Sequence, residues 1–358
     1  MKSGIDTTHI DPAIRPQDDL YRHLNGRWLK EFQIPADRAS DGVAYALHDE
    51  AERQVRAIIE SADTSGSESV KIGNLYRSFM DTDRIEMLGA TPIAQDLAKV
   101  SQITNSADFL RTLGQLEVQG IGGLFSAAIY TDHMKSDENI IYLSQAGLSL
   151  PDEAYYREDQ HQSIRDAFLT HVEKMFALAG IPAGSAHAAR ILSLETQIAA
   201  YHWDQVRDRD ATLTYNKVTR QELEELSPGF DWTVWLTAGE VPDRAFATTI
   251  VREPDFFTGI GKLLTDFDRA AWQSWLSWQI ISGSSPYLHD ELVAQNFSFY
   301  GTTLSGTPQI RDRWKRAVSL VEDAMGEAVG RIYVERHFPP QAKAEMETLV
   351  ANLVAAYS

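Results

Sequence analysis

Apolar residues recur at steps of three and four along most of the chain, the spacing of one buried face of an α-helix. These stripes predict helices at 43–62, 163–179, 186–201, 266–280 and 312–336. The apolar seam of the last helix consists of Trp314, Val318, Val321, Met325, Val329 and Ile332. A row of tryptophans in the helix at 266–280 is interpreted as core packing. The pattern therefore predicts a mainly α protein.

Charged residues on the helix predicted at 43–62 are spaced one turn apart. Asp49 precedes Arg53 by four residues, and Glu52 precedes Arg56 by four. Acid and base at this spacing lie side by side on a helix surface. We expect both pairs on its solvent side.

The first 35 residues differ from the rest because they are polar and rich in turn-forming residues. Asn25-Gly26 is predicted to form a turn within this arm. Further along, Thr219 followed three residues later by Glu222 predicts a capping box at a helix start.

One region has the composition of β-strands. The stretches "GGLFSAAIYTD" and "NIIYLSQ" are short, β-branched and aromatic, and the polar residues "HMKSDE" separate them. They predict a strand pair joined by a loop longer than a tight turn. The predicted fold is thus mainly α, a multi-helix lobe with one small β-hairpin element.

The last residues again have helical spacing. After Pro339-Pro340, apolar residues stand at Met346, Leu349, Val350, Leu353 and Val354 in this final helix. No glycine, proline or basic turn follows to end it.

Composition excludes several classes of function. The net charge is −18, which repels phosphate backbones and anionic lipids, so neither nucleic acid nor a membrane is an expected partner. The chain has no cysteine, which excludes thiolate catalysis, disulfides and thiolate zinc sites. No apolar leader or membrane-length run is present, and we expect a cytoplasmic protein.

The residues taken alone offer no catalytic constellation. No two of the ten histidines are four residues apart, so the HExxH zinc motif is absent. His171 is expected to be a hydrogen-bonded core histidine. His202 with Asp204, and the run 289–291, could each give one metal ligand, but neither has a second cluster at a recognisable spacing. We predict no catalytic residue, no metal site and no cofactor in this chain.

Six stretches, in order, resemble one family. They are "DDLYRHLNGRWLKEFQIPADRAS", "IGNLYRSFMDTD", "IIYLSQAGLSLPDEAYY", "YNKVTRQEL", "FDWTVWL" and "LSGTPQIRDRWKRAVSLVEDAMGEAVGRIYVERHFP". Together they are similar to the M13 (neprilysin-like) zinc metallopeptidases, and the third is the most specific. The resemblance covers essentially the whole chain.

The resemblance implies the helical, cleft-roofing part of a peptide-hydrolysing enzyme. In this family the HExxH helix and zinc belong to a catalytic lobe that follows, so zinc is expected only in the complete enzyme. Residues 1–42 are expected to pack on that lobe, 43–336 to form the helical substrate-gating domain, and 337–358 to begin the return to the lobe. Peptide substrate and catalytic lobe are the implied partners, and this chain is predicted to be inactive alone.

One substrate-binding residue follows from the resemblance. Some members hold the substrate's C-terminal carboxylate with an arginine after the "IP" segment, where Ser40 stands here. Arg38, two residues earlier, could take that role if the loop shifts, and the alternative is a solvated surface arginine. The absence of the secreted members' cysteines favours an intracellular bacterial protein.

Two other interpretations stay open. The chain could be a standalone helical binding module, or a degenerate peptidase that docks a separate chain. It could also be an enzyme with an unrecognised site, which a strongly shifted pKa in a deep pocket would indicate.

Overall fold

A computed structural model describes residues 7–62 and 67–357. The chain divides into two compact units. Unit 1 combines Met1–Met80 with Ser305–Ser358, and unit 2 is Asp81–Leu304.

Within the described residues the α-helices are α1 (Leu20–Glu31), α2 (Val43–Glu60), α3 (Ser67–Met80), α4 (Thr82–Leu88), α5 (Ala94–Ser101), α6 (Ser106–Glu117), α7 (Ala154–Arg157), α8 (Gln162–Leu178), α9 (Gly184–Ala199), α10 (Gln205–Asp208), α11 (Arg220–Leu226), α12 (Trp232–Ala238), α13 (Pro254–Thr265), α14 (Arg269–Ser284), α15 (Asp290–Phe297), α16 (Arg313–His337) and α17 (Pro340–Tyr357). The strands are β1 (Phe125–Asp132), β2 (Lys135–Gln145), β3 (Asn216–Thr219) and β4 (Thr248–Val251). A π-helical segment, Ser298–Leu304, follows α15. The mainly α fold with a small β-element is confirmed.

The core of unit 1 is built by α2, α3 and α16. Its buried residues are Val55, Ile58, Ile59, Ile72, Tyr76, Phe79, Ala317, Val318, Val321 and Val329. The seam predicted for the long helix therefore faces this core. At Met325 the backbone leaves helical geometry, with φ −143° and ψ 25°, so α16 is kinked there.

The predicted turn at Asn25-Gly26 is wrong, because both residues lie inside α1. Asp19 caps this helix by accepting a hydrogen bond from the backbone N–H of Arg22 at 2.9 Å. A Cβ built on Gly26 would lie 2.5 Å from the Cβ of Asp11. The glycine thus allows close packing against residues before the helix, rather than a turn.

The helix predicted at the end of the chain is present as α17. All six of its large apolar side chains are exposed, by 49% for Val350 and by 86% for Tyr357. In the part of the chain that the structure describes, no helix has the length and apolar character needed to cross a membrane.

Unit 2 has a large aromatic core. Trp272 and Trp275 of α14 are 1% and 0% exposed, so the interpretation of the tryptophan row as core is confirmed. The ring centroid of Phe109 lies 4.7 Å from that of Trp272 and 6.3 Å from that of Trp275. Such tilted contacts favour a rigid, well-ordered interior.

The four strands of unit 2 form one sheet in the order β1-β2-β4-β3. The pairs β1–β2 and β3–β4 are antiparallel, whereas β2 and β4 are parallel, with Leu143 opposite Val251. The sequence predicted only the β1–β2 hairpin. Strands β3 and β4 are four residues long, too short for a periodic signal.

The predicted long hairpin loop is also wrong. Strand β2 begins at Lys135, so only His133 and Met134 connect the strands. Asp132 closes the connection, since its Oδ1 accepts a hydrogen bond from the backbone N–H of Met134 at 2.9 Å. Lys217 Nζ donates to the other carboxylate oxygen at 2.8 Å.

The capping box predicted at the edge of this sheet is confirmed. Thr219 and Glu222 form the predicted capping box at the start of α11, with both reciprocal hydrogen bonds present.

The segment between β2 and α7 is fixed by a buried acid on α9. The carboxylate of Glu195 accepts hydrogen bonds from the backbone N–H and the hydroxyl of Ser149, at 3.0 and 2.7 Å. Tyr156 donates a third at 2.6 Å. This loop belongs to the stretch whose resemblance to the family is most specific, and its conformation is tied to the core.

The two units do not coincide with the boundaries predicted at residues 42/43 and 336/337. Along the chain, the units divide at residues 80/81 and 304/305. The predicted boundaries describe packing on a lobe outside this chain, and they stay a prediction.

Candidate functional site

Arg38 lies in the connection between α1 and α2, where the sequence placed the candidate substrate-binding residue. Its Nη1 and Nη2 donate to Oδ1 and Oδ2 of Asp49 at 3.3 and 3.0 Å. This bidentate arrangement fixes the plane of the guanidinium. The Arg38 side chain is 20% exposed, so it is half-buried rather than freely solvated.

Asp41, two residues before α2, and Tyr45, in its first turn, complete the surroundings of Arg38. Its Nε lies 2.9 Å from Oδ2 of Asp41, close enough for an ion pair although the N–H is not aligned for a hydrogen bond. The ring of Tyr45 lies 5.1 Å from the guanidinium carbon, within cation–π range. Ser40, which stands at the family's arginine position, shares a hydrogen bond with the hydroxyl of Tyr45 at 2.7 Å.

The protonation of Arg38 is secured by these acids. Burial lowers the pKa of Arg38, but the hydrogen bond and charge of Asp49, with the charges of Asp41 and Asp37, outweigh it and raise the pKa. Arg38 is therefore a permanent cation held by carboxylates.

Two further cations are Lys315, in the first turn of α16, and Arg311, just before that helix. Lys315 Nζ donates to Oδ2 of Asp37 at 2.8 Å, and this bond lowers the pKa of Asp37. Arg311 donates to the buried carboxylate of Glu52. A cavity of about 220 Å³ lies among these groups, lined by Asp37, Arg38, Tyr45, His48, Asp49, Arg311 and Lys315. We call it the Arg38 pocket.

The structure corrects the charge pairs predicted along α2. Asp49 pairs with Arg38 rather than Arg53, and Glu52 pairs with Arg311 rather than Arg56. Both acids pair with residues outside α2 because they lie on the side of this helix that faces the rest of unit 1.

Sequence reasoning missed the contribution of Arg311 and Lys315 to this pocket. The signal was available as the basic run "RDRWKR" at 311–316, opposite an acidic stretch at 37–52. Spacing alone could not indicate which base meets which acid.

The proposed role of Arg38 stays a prediction. To bind a substrate carboxylate, its guanidinium would exchange Asp49 or Asp41 for the ligand, or offer an edge that opens into the pocket. The structure brings Arg38 to a cavity, which the role requires.

The histidines that sequence analysis considered make structural contacts. His171 is 2% exposed and hydrogen-bonds to Gln295 through Nδ1 at 3.1 Å, as expected for a core histidine. His202 Nε2 lies 3.0 Å from the carbonyl oxygen of Ala146, and Asp204 caps α10. The run 289–291 begins α15.

The described residues offer no site that fits a zinc ion. Among residues 7–62 and 67–357, no three His, Asp or Glu side chains converge to hold a metal ion.

The sequence matches the profile of peptidase family M13 over residues 16–358. Among characterised relatives, endothelin-converting enzyme 1 of Rattus norvegicus and that of Homo sapiens are each 24% identical over 367 residues. The alignment takes in 97% of this chain but 47% of each enzyme. The chain thus spans about half the length of these relatives.

Solved structures give the same assignment. The zinc metalloprotease Zmp1 of Mycobacterium tuberculosis, in complex with an inhibitor, is 42% identical with a TM-score of 0.94, over 99% of this chain and 55% of that one. PepO of Lactobacillus rhamnosis shares the fold, with 20% identity and a TM-score of 0.82 over 96% of this chain.

The profile match covers nearly all of the chain, and the solved structure of Zmp1 has the same fold with 42% sequence identity. The resemblance deduced from the six ordered stretches is therefore confirmed. The chain belongs to peptidase family M13, of which it represents the N-terminal portion.

Proposed function

We propose that this chain is the helical, cleft-roofing part of a zinc metalloendopeptidase that hydrolyses peptides, and that it is not catalytic by itself. The observation that supports this most is the match of 99% of the chain to 55% of a zinc metalloprotease at a TM-score of 0.94. A shared fold alone would not support a shared activity, but sequence identity of 42% over that length does support it.

The chemistry would be divided between this chain and a catalytic lobe outside it. A catalytic zinc supplies Lewis-acid polarisation of the peptide carbonyl and an activated water. The described residues offer no ligand set for that ion. Their contribution is to shape the cleft and to limit which peptides enter it.

Two features of the chain suit this gating role. The interior of unit 2 is a close-packed aromatic core, which suits this unit to form a rigid wall of the cleft. The Arg38 pocket in unit 1 presents a fixed guanidinium, which is the group that pairs most strongly with a peptide carboxylate. We propose that Arg38 contacts the substrate's C-terminal carboxylate when the catalytic lobe is present.

The exposed face of α17 favours docking onto further protein. Met346, Leu349, Val350, Leu353 and Val354 are each about half exposed, on one amphipathic helix. An apolar face of this kind marks an interaction surface. It supports contact with the catalytic lobe, and it equally supports the alternative of a binding module that docks a separately encoded chain.

One experiment separates these functions. The intact mass of the protein from its source organism, with its zinc content and peptidase activity, would be compared with those of the 358-residue chain. We expect a native mass near twice 40.1 kDa with one zinc, and a 358-residue chain that neither retains zinc nor cleaves a fluorogenic peptide.

The other outcomes are equally informative. A native mass of 40.1 kDa without hydrolysis would support the binding module instead. Chelator-sensitive hydrolysis by the 358-residue chain would overturn the proposal.

A further inference from the structure

A second cavity, of about 460 Å³, opens on the surface of unit 2. Its walls come from α5, α9 and α14, with Ile181 from the connection between α8 and α9. Leu97 and Ile181 make one side apolar, whereas His187 and Arg190 bring polar groups to the other. It shares no residue with the Arg38 pocket.

The hydrogen bonds of His187 determine which ring nitrogen can accept. The hydroxyl of Ser274 donates its single proton to the carbonyl oxygen of Ala270 at 2.7 Å. His187 Nδ1 lies 2.9 Å from the same hydroxyl oxygen, so Nδ1 must carry the proton and donate. The lone pair of the neutral ring is therefore on Nε2.

The ring of His187 is also held in place and kept neutral. It stacks on Phe176, with 4.5 Å between the ring centroids and 18° between the planes. Burial lowers the pKa of His187, and the charge of Arg190 lowers it further. Its Nε2 is a fixed hydrogen-bond acceptor in the wall of the cavity.

Arg190 follows His187 by three residues on α9, so the two side chains lie on the same face of the helix. Arg190 is exposed, and no carboxylate of the described residues pairs with its guanidinium. An unpaired cation, a neutral hydrogen-bond acceptor and an apolar wall together favour a ligand that has an anionic group, an N–H donor and an apolar group.

We propose that this cavity binds the C-terminal residue of a peptide whose last side chain is apolar. Such a residue has a carboxylate for Arg190, an amide N–H for Nε2 of His187, and a side chain for Leu97 and Ile181. Guanidinium and carboxylate form a bidentate, charge-assisted pair. These three groups belong to one amino acid.

The first test uses N-acetyl-L-leucine as the probe and the whole 358-residue chain as the protein. The ¹⁵N chemical shifts of the histidine rings are followed by NMR, and the His187 signals are assigned by their loss in His187→Phe. We expect a saturable shift of the His187 signals with a Kd of about 1 mM, reasonable for so small a ligand. No saturable shift would overturn the proposal.

Two analogues examine the individual contacts. N-acetyl-L-leucinamide lacks the carboxylate, and 4-methylpentanoate lacks the amide N–H. Each should bind about tenfold more weakly than N-acetyl-L-leucine, because each leaves one polar group of the site unmatched. Equal binding of the leucinamide would overturn the role of Arg190.

Two variants complete the design, with a third as the matched control. Arg190→Gln should weaken N-acetyl-L-leucine about tenfold, whereas Arg244→Gln, at an exposed position that does not line the cavity, should leave it unchanged. His187→Phe keeps an aromatic ring on Phe176 but removes the acceptor. Followed by calorimetry, it should weaken N-acetyl-L-leucine and leave 4-methylpentanoate unaffected, and the opposite pattern would contradict the assignment.

Discussion

The indole N–H of Trp235 on α12 donates a hydrogen bond to the carboxylate of Glu117 on α6, with 2.6 Å between Nε1 and Oε2. Gly123 leaves the space in which the other carboxylate oxygen lies, since a side chain there would overlap it. Burial raises the pKa of Glu117 to about 7, although the bond from Trp235 acts in the opposite direction. One hydrogen bond does not replace the water that the ionised carboxylate has lost.

This acid makes stability depend on pH. Because its pKa is higher in the folded protein than the ordinary 4.5, its contribution is fully present below pH 4.5 and is lost as pH rises through 7. Glu117→Gln removes the titration and keeps the shape. Between pH 5 and pH 8, we expect wild type to lose about 2–3 kcal/mol more unfolding free energy than the variant.

Urea denaturation at the two pH values measures this difference. Glu225→Gln, at an exposed position on α11, is the control and should behave like wild type. Equal pH dependence in Glu117→Gln and wild type would show that Glu117 does not titrate in this range.

Glu195 gives a prediction about the loop that it holds. Glu195→Ala leaves the hydroxyls of Ser149 and Tyr156 without their acceptor in a buried site. We expect a loss of about 3–5 kcal/mol, measured by chemical denaturation. Glu173→Ala on α8 is exposed and should change stability by less than about 0.5 kcal/mol. Comparable losses in both variants would argue against the network.

Gly26 tests the close approach of α1 to the residues before it. Gly26→Ala places a methyl group against Asp11 and should cost about 1–3 kcal/mol. Gly330→Ala in α16 meets nothing within 4 Å and should stabilise by about 0.5–1 kcal/mol. Thermal unfolding of the two variants should shift in opposite directions, and a Gly26→Ala protein as stable as wild type would contradict this packing.

A double-mutant cycle measures the pair at the Arg38 pocket. Arg38→Ala and Asp49→Ala should show a coupling of about 1–2 kcal/mol in unfolding free energy, because the pair is bidentate and partly buried. Glu50 and Arg53 make an exposed pair on α2, and their coupling should be below about 0.5 kcal/mol. If the two couplings were equal, Arg38 would be no more constrained than a surface arginine.

The apolar face of α17 predicts a change in association without a change in stability. Replacing Leu349 and Leu353 by Asp touches no buried contact, so the unfolding midpoint should stay within measurement error. Self-association in sedimentation velocity should decrease in the same variant. A large loss of stability would mean that these side chains are buried in solution.

Sequence reasoning succeeded where the determining interactions are local. The row of Trp272 and Trp275 follows from helical period, and the capping box of Thr219 and Glu222 lies within one turn. Helix positions were accordingly predicted to within a few residues. These features need no knowledge of what lies far along the chain.

Sequence reasoning failed where residues from other segments of the chain determine the structure. Asp49 had Arg53 one turn away but pairs with Arg38, and Glu52 pairs with Arg311, 259 residues on. The pair Asn25-Gly26 is typical of turns, yet Gly26 lies in a helix, where its lack of a side chain allows the close contact with Asp11. Strand β4 exists because it pairs with β2, which no periodicity within four residues could indicate.

Unit 1 is discontinuous, and this governs how the protein can fold during synthesis. Helices α2 and α3 leave the ribosome early, but Ala317, Val318 and Val321, which complete their core, come from α16. All of unit 2 is translated in between. Until α16 emerges, the apolar stripes of α2 and α3 lack the third helix of their core, so a chaperone that binds amphipathic helices would meet this nascent chain there first.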